Sequence, residues 1–139
     1  MAFEHRLTIA APASAVWALT LDVVELPSIT PTIEEVELVD PAPLAVGSRV
    51  RLRQPGDKPR IWTVDEIEPG RRFAWSTGAL GTTMQAVHEV TPLDAGSCTN
   101  TLRIELSGAT APLLRRLMAA KIRDNLAQEN AGFARSAAG

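Results

Sequence analysis

The sequence predicts an α+β fold in which seven antiparallel strands form a curved sheet against one long C-terminal helix. Three observations carry this. Apolar and polar residues alternate with a period of two at the start of the chain and again in six later segments. Those later segments are separated by short stretches of Pro, Gly, Asp and Ser, too brief for the dozen or more residues of a parallel crossover. From near Ala111 the apolar spacing changes to that of a helix and holds as far as Phe133.

The elements follow in order. Phe3, His5, Leu7 and Ile9 alternate with Glu4, Arg6, Thr8 and Ala10, the pattern of a strand with one face turned inward, and Pro12 ends it. Val16, Leu19 and Val23 then recur at three- and four-residue spacing, which predicts a short helix from Ala13 to about Asp22, started next to a proline. Pro27 and Pro31 bracket a break in which any helical turn must be short, so one or two small helices follow the first strand. The remaining strands are expected over Thr32–Val39, Ser48–Gln54, Arg60–Ile67, Arg72–Thr77, Thr83–Thr91 and Cys98–Leu106. The closing helix carries the stripe Leu114, Met118, Ile122, Leu126 and Phe133, with Arg115, Arg116, Arg123, Asp124 and Gln128 mostly turned away. A strand, small helices, six hairpin-linked strands and a covering helix make an α+β order.

Composition excludes several classes. With 139 residues, 45% hydrophobic and 22% charged, the chain has the makeup of one globular domain spanning 1–139. A chain of this length buries roughly 68% of its unfolded surface, enough for one core and an internal cavity. Apolar runs are interrupted well short of the ~18 residues needed to cross a bilayer, so no integral membrane insertion is expected. Met1 to Pro12 has no signal-peptide pattern, and Cys98 is the single cysteine, so a cytoplasmic location is expected. Lys and Arg total 14 against 16 Asp and Glu, which gives no basic field for a nucleic acid partner.

The chemistry-bearing residues are few. His5 and His88 lie far apart and Cys98 has no second cysteine, so neither a metal site nor a cofactor is expected. A turn at Asp94–Ser97 sets Cys98 opposite about Thr91, roughly 10 Å along the strand from His88, which favours a buried structural thiol over a nucleophile. Gly78–Gly81 lacks the ending of a phosphate-binding loop and reads as a turn. Glu34, Glu35, Glu37, Asp65, Glu66 and Glu68 read as solvated strand faces and ends. Arg49, Arg51 and Arg53 leave one face of a strand whose other face carries Val50 and Leu52; parity favours solvent for the arginines over a cavity lining. Tyrosine is absent, so no phenol can act as an acid.

Several strings, in this order and spacing, resemble the START-like or SRPBCC superfamily. They are Ile9-Ala10-Ala11-Pro12 with Ala15-Val16-Trp17 and Asp22; Gly47-Ser48-Arg49-Val50; Val64-Asp65-Glu66-Ile67-Glu68-Pro69-Gly70-Arg71-Arg72-Phe73-Ala74-Trp75; and Glu89-Val90-Thr91-Pro92 before the Asp94-Ala95-Gly96 turn. The superfamily includes birch-pollen-allergen-like proteins, polyketide aromatase/cyclases and lipid-transfer domains. The resemblance implies a helix-grip fold enclosing a hydrophobic pocket between the sheet and the C-terminal helix; fold by itself assigns no reaction.

On that reading the cavity is bounded by Trp62, Trp75, Met84, His88, Met118, Ile122 and Phe133, with Asn125, Glu129 or Arg103 orienting the polar end of a ligand. Asn125 and Glu129 continue the helical stripe at matching spacing and need polar partners, for which His88, Asn100 and Arg103 are candidates. The expected function is binding or carriage of a small hydrophobic or aromatic molecule. Two alternatives stand beside it. One is a polyketide aromatase/cyclase or dehydratase with His88 or Glu129 as proton acceptor in an aldol-type closure. The other is a protein-partner module that uses Arg115, Arg116 and Arg123, its cavity filled by Met118 and Phe133. The oligomeric state is left as monomer or homodimer.

Overall fold

The computed structural model describes residues 2–138. Strand β1 (Ala2–Ile9) leads into α1 (Ala13–Leu21), a 3₁₀ turn (Val23–Glu25) and the single helical turn α2 (Leu26–Ile29). Six strands follow: β2 (Glu35–Leu38), β3 (Arg49–Arg53), β4 (Arg60–Glu68), β5 (Arg72–Ala79), β6 (Thr82–Asp94) and β7 (Ser97–Ser107). The chain then runs into α3 (Ala111–Ala138), 28 residues and so about 42 Å long.

All seven strands form one antiparallel sheet in the order β1-β7-β6-β5-β4-β3-β2. Hairpins join β2 through β7 in sequence, and the helices after β1 carry the chain from one edge of the sheet to the other. Register shifts between Val64 and Glu66 and between Pro92 and Asp94 add the local bends that help curve it. The β5–β6 turn is tight, with positive φ at both Leu80 and Gly81, the backbone a two-residue hairpin turn requires.

The concave face carries the apolar set of each strand. Val50 and Leu52, Trp62 and Val64, Phe73 and Trp75, and Leu102 and Leu106 are all buried in one core with Ile122, Leu126 and Phe133 of α3. Arg49 and Arg51 leave the opposite face, as parity requires; Arg49 pairs with Asp40, and Arg53 with Glu34 and Glu35. The charged runs are likewise outer-face partners, Arg72 bridging Glu66 and Glu89.

Most element ends differ from the sequence expectation by a residue or two, and three differences have a physical reason or consequence. Strand β2 starts at Glu35, not Thr32, because Thr30 and Thr32 bond to each other and close a local turn after Pro31. Strands β5 and β6 extend to the tip of their hairpin. Cys98 pairs with Pro92 rather than Thr91 and is fully buried, and His88 lies opposite Leu102, so the thiol has no imidazole across from it. Burial raises the Cys98 pKa, as for an inert thiol.

Two contacts fix α3 on the sheet. Asn100 and Asn130, both fully buried, join β7 to the helix: Asn100 Nδ2 donates to Asn130 Oδ1 at 3.0 Å, and Asn130 Nδ2 donates to the Asn100 carbonyl at 3.1 Å and meets His5 Nδ1 at 2.9 Å. Farther along, Arg115 and Arg123 stand over the Phe3 ring at 5.0 and 5.1 Å. Gly132 permits a third approach, to α2: a Cβ there would lie 2.1 Å from the Ile29 carbonyl oxygen, so only glycine lets the two helices come this close.

Candidate functional site

Between the concave face and α3 lies a cavity of about 80 Å3. That is several times the roughly 10–15 Å3 one water requires. The sheet supplies Trp62 and Trp75 from β4 and β5 and Met84 and His88 from β6; α3 supplies Ile122, Asn125, Glu129 and Phe133. These are eight of the ten residues expected from the sequence.

The other two do not reach it. Arg103 is on the outer face, because Asn100, Leu102, Ile104 and Leu106 take the inward positions of β7. It pairs there with Glu105 at 3.3 Å and Glu4 at 4.0 Å. Met118 packs half-buried against the core one turn before Ile122, where α3 has already moved toward Phe3. Asn100 does not serve Asn125 or Glu129 either; its amide is taken by Asn130.

Aromatic rings form the floor. Trp62 and Trp75 lie 5.7 Å apart between centroids, Phe73 meets Trp75 edge-on at 5.2 Å, and His88 stands edge-on to both Phe73 and Phe133 at 5.9 Å. His88 is 8% exposed, and its Nδ1 is buried with no partner among the described residues. Burial drives its pKa down to about 4, so the imidazole is neutral at pH 7. A base this weak takes up little proton near neutrality.

Glu129 is the opposite case. Its carboxyl faces the same cavity, and desolvation pushes its pKa up to about 7, opposed by a hydrogen bond from Thr32 Oγ1 to Oε1 at 3.1 Å. Thr32 holds that position through Thr30, which lines the cavity from the turn after α2. This threonine pair escaped the sequence reading because the turn lies about 100 residues from α3 and reads as a proline-broken strand start. Asn130 did leave a signal, since it follows Leu126 by four residues on the inward face.

Phe133 packs against His88 of β6 and lines the cavity without filling it. Among the described residues, no group of three or more His, Cys, Asp or Glu is placed to hold a metal, and no helix is long and apolar enough to cross a membrane.

A curved antiparallel sheet closed by one long helix over an apolar cavity defines the helix-grip class of protein. Residues 1–137 match the polyketide cyclase / dehydrase and lipid transport family, and the chain belongs to it. Solved structures share the fold. The Zhui aromatase/cyclase from Streptomyces sp. R1128 is 24% identical with a TM-score of 0.77, over 98% of this chain and 93% of that one. Norcoclaurine synthase from Thalictrum flavum, in complex with dopamine and hydroxybenzaldehyde, is 17% identical with a TM-score of 0.75, over 97% and 84%. The di-domain aromatase/cyclase BexL of the BE-7585A biosynthetic pathway is 20% identical with a TM-score of 0.75, over 93% of this chain; the present chain spans 45% of its length. No protein of curated function matches the sequence.

Proposed function

We propose that the protein binds a small, largely apolar molecule of one or two rings in this cavity, its polar end set against Glu129 and Asn125. The observation that carries the reading is the polarity of the walls: aromatic and aliphatic side chains make up most of the lining, and one carboxyl among the described residues, held by Thr32, stands at one side. The modest volume favours a compact ligand over a long extended chain. Native mass spectrometry of the protein purified from its own host, before and after organic extraction, tests this. A reproducible adduct lost on extraction is the expected result. Its absence, together with silent calorimetry against a panel of small apolar ligands, would refute the reading.

A second reading is favoured by one observation. A carboxyl with pKa about 7 can take up and return a proton at neutral pH, as a cyclase or dehydratase requires. In an aldol closure Glu129 would remove the proton α to one ketone, the enolate carbon would form the new C–C bond to a second carbonyl, and the alkoxide would recover the proton from Glu129. Asn125 or Thr30 would hydrogen-bond the carbonyl oxygen. Turnover of a short poly-ketone that Glu129→Gln abolishes would favour catalysis; binding without turnover leaves a carrier.

A further inference from the structure

We propose that the cavity takes a cationic ligand: a small aromatic or alicyclic amine whose ammonium group meets the Glu129 carboxylate while its ring lies against Trp62 and Trp75. This rests on the binding reading above and adds the charge class of the ligand.

The first argument is the charge inventory of the walls. Among the described residues Glu129 is the only charged side chain that lines the cavity, and His88, the only other titratable one, is neutral. Among those residues no lysine or arginine reaches it. Arg53, Arg72 and Arg103, on the strands around it, are held in outer-face ion pairs. An anionic ligand would therefore find no cation and would face a carboxylate in a buried space.

The direction of the hydrogen bonds is the second argument. Thr32 N–H donates to Thr30 Oγ1, and Thr32 Oγ1 donates to Glu129 Oε1, so the 2.9 Å contact between the hydroxyls is Thr30 donating to Thr32. The Thr32 hydroxyl, itself backed by the Thr30 hydroxyl, thus donates to the carboxyl and supports its negative form. Oε1 is occupied by Thr32, which leaves Oε2 for whatever enters.

Ammonium complements what remains. It has three donors and no acceptor, and Oε2 together with the side-chain carbonyls of Asn125 and Gln54, both at the cavity wall, offers acceptors. Trp62 and Trp75 line the cavity, and an indole face met by a cation adds attraction that no anion receives. The raised pKa of Glu129 agrees: burying this carboxylate without a counter-charge is unfavourable, and an arriving cation removes that penalty.

The test is calorimetric titration of the full chain with three probes sharing one ring: tryptamine, tryptophol and indole-3-acetate. At about pH 8, with Glu129 ionised, tryptamine is expected to bind about tenfold or more tightly than tryptophol, and indole-3-acetate more weakly than either. At about pH 5.5 protonation of Glu129 should bring the amine and the alcohol within about threefold of each other. His88, facing from β6, stays neutral across that range, and the other groups facing Glu129 from α2, β3, β4 and β5 are uncharged. Glu129→Gln should bring the amine-to-alcohol ratio near one at both pH values, and Thr32→Val should reduce it. Equal affinities for amine and alcohol at the higher pH, or tightest binding of the acetate, would overturn the charge assignment and leave the binding reading standing. No binding of any probe would overturn both.

Discussion

Thr32 and Glu129, 97 residues apart in sequence, are joined by a 3.1 Å hydrogen bond in which the hydroxyl donates to the carboxylate inside the cavity. That bond favours the charged carboxyl while burial opposes it, and the balance leaves Glu129 titrating near neutrality. Thr32→Val removes the donor and keeps the shape. The Glu129 pKa should then rise further above about 7, by about one unit for a lost hydrogen bond to a charged group. Carboxyl carbon NMR across a pH series reads this directly; an unchanged or lower value would contradict the assignment.

His88 and Glu129 should impose opposite pH slopes on stability. The folded pKa of Glu129 lies above its unfolded value, so its contribution is full below about 4.5 and is lost as pH rises through about 7. The folded pKa of His88 is depressed, so its contribution is full above about 6.5 and is lost as pH falls through about 4. Between these limits the two largely cancel in the native protein. Glu129→Gln should expose a Tm that climbs with pH over this window, and His88→Asn one that falls. Thermal melts at closely spaced pH values check both signs.

Gly132 governs how near α2 comes to α3, and thereby where the Thr30–Thr32 turn meets Glu129. A methyl at this position collides with the Ile29 carbonyl oxygen, so backbone must move. Gly132→Ala is expected to cost about 2 kcal/mol of stability despite its better helix propensity. It should also weaken ligand binding by displacing Thr32. Denaturant unfolding and calorimetry measure the two effects separately; a stabilised variant would show that the helices are not in fixed contact.

The Asn100–Asn130 pair anchors the helix rather than the ligand. Asn130→Ala leaves the Asn100 amide and two backbone carbonyls short of a donor or acceptor in a fully buried place, and should cost about 2–4 kcal/mol. Arg103→Ala, on the outer face, should leave ligand affinity unchanged and cost less than about 1 kcal/mol.

The different fates of these residues mark what a sequence can express. Spacing along α3 marks Asn125 and Glu129 as continuing the inward stripe, and both line the cavity together with Trp62, Trp75 and His88, because a buried face imposes a strict period on whatever occupies it. Arg103 has the chemistry of a ligand-orienting group but the opposite parity to Asn100, Leu102 and Ile104, and the period places it on the outer face. Met118 matches the helical stripe, but a helix of this length crosses a curved sheet, so the same stripe meets the cavity at Ile122 and the core flank at Met118. The Thr30–Thr32 turn had no local signal, since its role depends on a contact with a helix far along the chain.

On the proposed function a small apolar molecule enters between Trp62, Trp75 and α3. The chain has three tryptophans, and Trp17 on α1 lies outside the cavity wall. The most direct measurement is therefore an NMR titration of the three indole N–H signals with a small neutral aromatic such as 2-naphthol. Saturable shifts of the Trp62 and Trp75 signals, with Trp17 unmoved, are the predicted result. No saturable shift at Trp62 or Trp75, or shifts confined to Trp17, would contradict it.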